Sequence, residues 1–343
     1  MRTLKAVLAA LAVSTAIIAP EPSVAQYSNP VLAREFADPT VFKDPNSGFF
    51  YAYATNARGS GIQAIQVARS KDLVNWTYLG NALQDKPSWA AFAGGAPEVE
   101  YINGQYVMYY QAYVNGLPCL SIATAEASAG PDGPFVDRST KPFICQSQAS
   151  GGASVDPMVF LAPNGHWYLY WNSAGSLGFT IYGQQLTANG LAVTGNRVAL
   201  LSSTEAWEKP CCDPSYKGIV EAPSMFFRRD DGKFYLFYSG NTYTTGAYAV
   251  GVARGSAPLG PFTKLGGPVL SSANGVAGPG SSGVIRDRVD SPWIYYHGWT
   301  EPNVGYANGG SRRMMLSPLR FDAQGRPTIT PRLSNPTSPA PLP

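Results

Sequence analysis

Carboxylates are the side chains of this sequence best suited to acid/base chemistry. Asp38 and Asp156 each stand directly before a proline, and Glu221 stands two residues before one. Acids crowded in one pocket raise each other's pKa, and crowding of this kind points to general acid/base catalysis, most often glycoside hydrolysis. The alternative is that these acids only cap turns or accept hydrogen bonds from amides at strand edges. The choice depends on whether the fold brings the acids together.

Histidine and cysteine do not offer another catalytic centre. His166 and His297 are the only two histidines, which excludes a histidine-rich metal centre. None of the four cysteines has a histidine near enough in sequence to support a thiolate nucleophile or a zinc site. The sequence therefore assigns catalysis to carboxylates.

The acids belong to a repeated pattern of an apolar strand that starts at a proline, a turn, and a second strand rich in aromatic residues. Copies follow one another at spacings of 56 to 66 residues, and the last copy is looser. A unit of about 60 residues fits a four-stranded blade with its loops. The sequence thus predicts an all-β fold, a five-bladed β-propeller whose first strand in every blade lines the central channel. The markers are Pro39, Pro97, Pro157, Pro223 and Pro279.

Composition agrees with a propeller. The chain has 36 Gly, 29 Pro and 20 Tyr residues, and only 14% of its residues are charged. Propellers typically have strands rich in Tyr, Phe, Val and Trp, separated by turns that contain Gly and Pro. The repeat predicts one propeller domain over residues 26–330. Residues 331–343 are rich in Pro and Ser, and we expect them to form a disordered tail.

The N-terminus has the pattern of a signal peptide. A basic segment with Arg2 and Lys5 precedes an apolar run over residues 6–19, and small residues precede Gln26. This pattern predicts a signal peptide over residues 1–25 and a secreted, extracellular or periplasmic protein. The alternative is a buried N-terminal helix. The run is too short to span a membrane.

Charge gives no reason to expect nucleic acid or an anionic membrane as a partner. The formal net charge of the whole sequence is +3, and removal of Arg2, Lys5 and Glu21 with the signal peptide leaves +2. A nearly neutral protein lacks the basic surface that attracts phosphate backbones or anionic lipids.

The four cysteines of an exported chain are more often oxidised than catalytic. Cys119 and Cys145 both fall in the second repeat, on what should be outer strands, and we predict that they form a disulfide. Cys211 and Cys212 are adjacent in sequence. They either form a strained vicinal disulfide or remain thiols.

The motifs at the acids resemble those of glycoside hydrolase family 43, and the resemblance spans roughly residues 29–330. The resemblance implies a five-bladed propeller that acts on arabinan, arabinoxylan or xylo-oligosaccharides. The matching motifs are Ala37-Asp38-Pro39, Val155-Asp156-Pro157, Glu221-Ala222-Pro223, Phe237-Tyr238-Ser239-Gly240-Asn241, Tyr296-His297-Gly298-Trp299 and Gly310-Ser311-Arg312-Arg313-Met314.

The resemblance also implies roles for individual residues. Asp38 matches the general base and Glu221 the general acid. Asp156 matches a third carboxylate that holds the acid in place and keeps its pKa high. Arg312 matches an arginine that reaches the substrate from the last blade. An inverting mechanism would require roughly 6.5–9.5 Å between the carboxyl groups of acid and base.

Two departures from the family pattern concern the axis of the propeller. Where many members have Trp-Ala-Pro-Asp, this chain has Gly95-Ala96-Pro97-Glu98. Where a histidine often follows Gly-Pro-Gly, it has Ser281-Ser282. The second departure leaves open a central cation near His297, which is also a candidate substrate-binding residue. The alternative is that His297 only fills the channel, and we expect no required cofactor.

Two aromatic residues stand outside the regular strand pattern. Trp89 and Phe92 lie just before the second channel strand. Either ring could stack on a sugar face, a contact worth about 0.5–1.5 kcal/mol by analogy with aromatic pairs. The alternative is packing within the loop.

The sequence therefore predicts a secreted, inverting exo-α-L-arabinofuranosidase that releases L-arabinofuranosyl residues from arabinan or arabino-oligosaccharides of plant cell walls. The long segment over residues 204–218 favours a rim that closes part of the cleft, and hence exo action. The enzymatic alternatives are an endo-1,5-α-L-arabinanase and a β-xylosidase. The alternative from another class is a non-catalytic, sugar-binding propeller.

Overall fold

A computed structural model describes residues 26–57, 65–146, 152–175, 178–210, 217–335 and 340–342. The predicted signal peptide and the predicted oxidation of Cys211 and Cys212 fall outside these residues. Within them, no helix is long and apolar enough to cross a membrane.

Four-stranded antiparallel sheets form the first three blades, and a short strand, β1 (Tyr27–Ser28), precedes them. The first blade contains β2 (Thr40–Lys43), β3 (Phe50–Ala54), β4 (Gln66–Ser70) and β5 (Trp76–Asn81). The second contains β7 (Phe92–Ile102), β8 (Gln105–Val114), β9 (Leu117–Glu126) and β10 (Phe135–Val136), with β6 (Leu83–Asp85) parallel to β10 at its outer edge. The third contains β11 (Ala153–Leu161), β12 (Trp167–Gly175), β13 (Gly178–Leu186) and β14 (Val193–Ser202).

The last two blades complete the all-β fold. The fourth contains β15 (Val220–Arg228), β16 (Lys233–Gly240), β17 (Ala249–Gly255) and β18 (Phe262–Lys264). The fifth contains β19 (Val276–Arg286), β20 (Pro292–Thr300) and β21 (Arg313–Pro318). Short strands β22 (Arg320–Phe321), β23 (Pro327–Thr328) and β24 (Ser334–Asn335) follow, and 3₁₀ turns lie at Ala206–Glu208 and Tyr306–Asn308.

The blades close into a ring around one axis. The innermost strand of each blade contacts the innermost strand of the next, and β19 of the last blade contacts β2 of the first. Apolar side chains fill every interface between neighbouring blades, so that the core is divided into five clusters. The prediction of a five-bladed β-propeller is confirmed.

The two ends of the propeller meet beside the fifth blade. Strand β24 pairs antiparallel with β1, and Leu32 forms a bridge to Met314 of β21. The main-chain N–H of Asn29 donates to the carbonyl of Leu333 at 2.8 Å, and its side chain donates to the carbonyl of Leu316 at 2.8 Å. The N-terminal segment thus takes the outer position on the fifth blade.

This closure includes the first residues of the expected disordered tail. Residues 331–335 are part of the ring closure. The carbonyl of Leu342 accepts a hydrogen bond from the main-chain N–H of Arg288, and its own N–H donates to Asp287 Oδ2 at 3.3 Å. Residues 336–339 and 343 lie outside the described residues. Composition does not register such long-range pairing.

Each innermost strand has a kink at the same place. The residue before each marker proline has a left-handed backbone, with φ of 51° at Asp38, 37° at Ala96, 54° at Asp156, 49° at Ala222 and 54° at Gly278. In the last four blades the strand pairing skips residues there, as in a bulge. A bulge bends a strand and redirects its side chains, and strained backbone of this kind is concentrated at functional sites. In the fourth blade the kinked residue is Ala222, so Glu221 stands one residue earlier than Asp38 and Asp156.

The predicted disulfide between Cys119 and Cys145 is present. Cys119 lies on β9, as expected. Cys145 lies in the segment after β10, where Ile144 bridges to Leu120. The bond therefore joins this segment to the third strand of the second blade.

Candidate active site

A pocket of about 310 Å³ opens at one end of the central channel. Asp38, Asp156 and Glu221 line it, so the fold brings together the three predicted acids. Phe92 and Arg312 also line the pocket. Sequence analysis did not single out several other residues of the wall, namely Thr55, Gln111, Tyr113, Tyr243 and Tyr248.

Asp38 is surrounded by groups that favour its ionised form. Its Oδ1 accepts hydrogen bonds from Arg312 Nη1 at 2.8 Å and from Ser281 Oγ at 3.1 Å. Its Oδ2 accepts one from Thr55 Oγ1 at 2.7 Å. Burial alone would raise the pKa of Asp38, but the Arg312 charge and these donors hold it well below its usual range. Asp38 is therefore a carboxylate at any ordinary working pH, as a general base must be.

Arg312 is fixed in place on several sides. Its Nε donates to the hydroxyl of Tyr306 at 2.8 Å, and its main-chain N–H donates to Glu35 Oε2 at 2.7 Å. Its guanidinium lies over the ring of Tyr243, 4.7 Å from the ring centre. Arg312 is buried and bonded to Asp38, so its main effect is to keep the base ionised. Only the part of its side chain that lines the pocket can contact a substrate.

Glu221 has the opposite electrostatic environment. Its Oε1 accepts a hydrogen bond from the Tyr248 hydroxyl at 2.8 Å. Burial, followed by the negative charge of Asp156, raises its pKa, and the Tyr248 hydrogen bond lowers it by less. Glu221 therefore keeps its proton to a higher pH than an ordinary glutamic acid, as a general acid must.

Asp156 lies between the acid and the base and is held by the neighbouring blades. Its Oδ2 accepts from the main-chain N–H of Ala222 at 3.1 Å, and its Oδ1 accepts from Gln111 Nε2 at 3.4 Å. Burial and the nearby charge of Asp38 raise its pKa. Asp156 and Glu221 titrate as an interacting pair, in which the charge on one raises the pKa of the other.

His297 lies beneath the base and is fully buried. Its Nδ1 accepts a hydrogen bond from the main-chain N–H of Asp38 at 3.1 Å. Burial and the charge of Arg312 lower the pKa of His297 to about 4, so the ring is neutral. His297 is not among the described residues that line the pocket, and its contact with substrate stays a prediction.

A central cation near His297 stays a prediction. Nδ1 of His297 also lies 3.3 Å from Asp38 Oδ1, so Nε2 is the ring nitrogen left for another partner. That Nε2 is buried and has no hydrogen-bond partner among the described residues. Among the described residues, no group of three or more His, Cys, Asp or Glu side chains is arranged to hold a metal ion. No step of the mechanism below uses a cation.

The two candidate aromatic residues have different positions. Phe92 lines the pocket and packs edge-on against Tyr113, with ring centres 5.6 Å apart. Trp89 does not line it: its ring packs against the core of the first two blades and its Nε1 donates to Ser139 Oγ at 2.9 Å. These contacts agree with the alternative of local packing, and the role of Trp89 as a sugar platform stays a prediction.

A second and larger cavity of about 880 Å³ opens at the other end of the axis. Ends of the innermost strands line it, and none of its described lining residues is one of the three acids. Glu98, which is buried, also lines this cavity and accepts hydrogen bonds from the Thr40 hydroxyl and the main-chain N–H of Val159. The three predicted acids therefore lie at the smaller pocket.

Known proteins resemble this chain along most of its length. The arabinan endo-1,5-alpha-L-arabinosidase A of Aspergillus niger is 26% identical, over 80% of this chain and 85% of that protein. The probable arabinan endo-1,5-alpha-L-arabinosidase A of Aspergillus oryzae is 26% identical, over 82% of this chain and 88% of its own length.

Solved structures resemble this chain equally broadly. A thermostable family-43 glycoside hydrolase matches with a TM-score of 0.78 and 27% identity, over 92% of this chain and 99% of that one. An endo-1,4-beta-xylanase from Bacteroides thetaiotaomicron matches with a TM-score of 0.71 and 26% identity, over 90% and 97%. The family model for glycosyl hydrolases family 43 matches residues 27–327. With its propeller and its acidic pocket, this chain belongs to glycosyl hydrolases family 43.

Proposed function

We propose that this glycoside hydrolase cleaves α-L-arabinofuranosyl linkages of plant arabinan or arabino-oligosaccharides by an inverting, exo-acting mechanism. The observation that carries the proposal is electrostatic. One pocket holds a carboxylate that Arg312 keeps ionised, Asp38, and an acid that burial and the charge of Asp156 keep protonated, Glu221. A base and an acid with pKa values separated by their surroundings are the pair that glycoside hydrolysis requires.

The proposed mechanism is a single displacement at the anomeric carbon. Asp38 takes a proton from a water molecule, whose oxygen forms the new bond to that carbon. The glycosidic C–O bond breaks, and Glu221 gives its proton to the departing oxygen. Asp156 keeps that proton on Glu221 until the bond breaks. No cofactor takes part, so dialysis against a chelator should leave the activity unchanged, and a loss restored by one added metal would contradict this.

Exo action is supported by the size of the pocket. Its volume of about 310 Å³ is at the small end of the range for ligand pockets, which suits a terminal sugar better than a long chain. Endo action is the second candidate, because the arabinosidases of Aspergillus niger and Aspergillus oryzae described above are named as endo enzymes.

Product analysis separates these candidates. The purified protein is incubated with debranched arabinan, arabinoxylan and xylo-oligosaccharides, and the products are separated over time. Arabinose as the only early product supports exo action, whereas a ladder of oligomers establishes endo action. Xylose alone would overturn the substrate, and binding without any product would favour a sugar-binding propeller.

Inversion and secretion each have a direct test. The anomer formed first can be observed by ¹H NMR before mutarotation, and we expect the β-anomer of arabinose from an α-linked substrate. A retained α-anomer would contradict the role of Asp38 as a base. We also propose export from the cell, and expect N-terminal sequencing of protein from the medium or periplasm to begin at Gln26.

A further inference from the structure

Tyr248 is a buried pocket residue to which the mechanism above gives no task. Its hydroxyl donates to Glu221 Oε1 at 2.8 Å. Its ring lies nearly parallel to the ring of His297, with centres 5.8 Å apart and an angle of 9°. The main chain of Gly280 approaches so closely that a Cβ there would lie 1.9 Å from a ring carbon of Tyr248. Packing therefore fixes the hydroxyl against Glu221.

Two buried serines, Ser239 and Ser281, stand beside Tyr248 and the base. Against the rise that burial causes, Ser239 lowers the pKa of Tyr248, and its Oγ accepts from the main-chain N–H of Ser281 at 2.9 Å. Ser281 Oγ then donates to Asp38 Oδ1 at 3.1 Å. Ser239 is fully buried and Ser281 nearly so. The two serines thus connect the surroundings of Tyr248 to Asp38.

We propose that Tyr248 is a positioning residue for the general acid, and that Ser239 and Ser281 tie its position to that of the base. The inference rests on the proposed roles of Glu221 and Asp38. Because Oε1 of Glu221 accepts from Tyr248, the acidic proton must be on the other oxygen, Oε2. Tyr248 thereby selects which oxygen delivers the proton to the leaving group.

The hydrogen bond also affects the titration of Glu221. A donor stabilises the carboxylate more than the neutral acid, so Tyr248 limits the rise in the pKa of Glu221 that its surroundings cause. Removing the hydroxyl should therefore raise this pKa further. The other charged or titratable groups that face Glu221 or its tyrosine are Asp156, Asp38, Arg312 and the neutral His297.

The test is Tyr248→Phe, with Tyr296→Phe as the matched control. Tyr296 is an equally buried tyrosine whose hydroxyl bonds Ser317, at 3.0 Å. For Tyr248→Phe we expect kcat on arabino-oligosaccharides to fall by about 10- to 100-fold, the range for a lost hydrogen bond to a charged group. KM should change little. The loss should be smaller on an aryl arabinoside whose leaving group needs no proton, and the alkaline limb of the pH profile should move to higher pH. Tyr296→Phe should change none of these properties.

Two further measurements keep the test decisive. If Tyr248→Phe does not fold, Ser239→Ala should move the alkaline limb in the same direction by a smaller amount. NMR titration of ¹³C-labelled glutamate side chains should show the carboxyl of Glu221 titrating at higher pH in either variant. A uniform loss of activity at every pH and on both substrates, with an unshifted limb, would show a merely structural tyrosine and overturn the proposal.

Glu221→Gln distinguishes failure of this inference from failure of the proposed function. If this variant abolishes the alkaline limb while Tyr248→Phe leaves it in place, only the role of Tyr248 is wrong. If the alkaline limb survives in Glu221→Gln, Glu221 is not the acid, and the inference falls with the assignment.

Discussion

At the scale of single residues, the acid and the base are distinguished by their partners. Asp38 is bonded to a guanidinium, whereas Glu221 is bonded to a neutral phenol and lies near a second acid. Charge near a carboxyl group sets its pKa, and the pKa decides whether the group gives or takes a proton.

Glu221→Gln and Asp38→Asn should separate these roles. Glu221→Gln should be nearly inactive on polysaccharide but retain more activity on aryl glycosides, because a good leaving group departs without a proton. Asp38→Asn should lose activity on both substrates, by a factor of about 100 or more, since general base catalysis typically contributes that much. Initial rates on both substrates provide the measurement. Equal losses for Glu221→Gln on the two substrates would count against its role as the acid.

Asp156→Asn should shift the pH profile. The change removes a negative charge beside Glu221, so the pKa of Glu221 should fall and the alkaline limb of kcat/KM should move to lower pH. Asp137→Asn is the control, because Asp137 accepts hydrogen bonds from Tyr110 and Ser121 within the second blade, away from the pocket. An unmoved limb in Asp156→Asn would mean that its charge does not act on the acid.

Glu98 should make stability depend on pH. Burial raises its pKa to about 7, so the folded state binds a proton there that the unfolded chain has released, and stability falls as pH rises through 7. At pH 8, Glu98→Gln should therefore melt at a higher temperature than the wild type, with an unfolding free energy higher by on the order of 3 kcal/mol. At pH 4 the variant and the wild type should melt at similar temperatures. Thermal melts at both pH values check this, with the exposed Glu126→Gln as control. The same difference at both pH values would show that ionisation of Glu98 is not its cause.

At the scale of strands, the kinked innermost strands position the site. The left-handed residue before each marker proline turns its N–H away from the ladder of its own strand. In four blades this N–H donates to a side chain: that of Asp38 to His297, that of Ala96 to Thr55, that of Ala222 to Asp156 and that of Gly278 to Ser272. The first three of these bonds attach a kink to the preceding blade, which keeps acids from different blades in register.

Gly280→Ala should disrupt this arrangement. A Cβ on Gly280 would overlap the ring of Tyr248, and the ring cannot withdraw because His297 lies against it. Overpacking of this kind costs about 1–3 kcal/mol, and displacement of Tyr248 should lower kcat as well. Gly267→Ala is the control, since no atom lies within 4 Å of its added Cβ. Wild-type melting temperature and activity in Gly280→Ala would contradict the packing described here.

At the scale of the molecule, the ring must be closed for the acids to face one another. Asp38 follows the N-terminal segment that lies on the fifth blade, and Arg312, its main partner, precedes β21 of that blade. The base is thus assembled at the closure, from residues 274 positions apart. Loosening the closure should therefore affect activity as well as stability.

Truncation after Thr330 should reveal this dependence. It removes β24, the main-chain bond from Asn29 to Leu333, and the apolar contacts of Leu333 with the fourth and fifth blades. We expect a melting temperature lower by several degrees and a reduced kcat. Truncation after Asn335 keeps β24 and should remain closer to the full chain. If the chain that ends at Thr330 melts at the same temperature as the full chain, residues 331–343 are a dispensable tail.

The sequence by itself determined the architecture and the three acids. Strand periodicity, the marker prolines and the acids beside them are local signals, and each blade repeats them. The pairing of Cys119 with Cys145 followed from the same repeat, because both cysteines fall within one blade.

Only the tertiary structure decided which other residues join the acids. Tyr248, Thr55 and Gln111 stand at ordinary strand or loop positions, so no local pattern distinguishes them. Conversely, Trp89 and His297 looked available, but Trp89 packs against the core of the first two blades and His297 is fully buried. Contacts between blades join residues far apart in sequence, and burial shifts pKa values only once those blades pack. The acids could therefore be predicted from the sequence, whereas their protonation and their positioning partners required the closed ring.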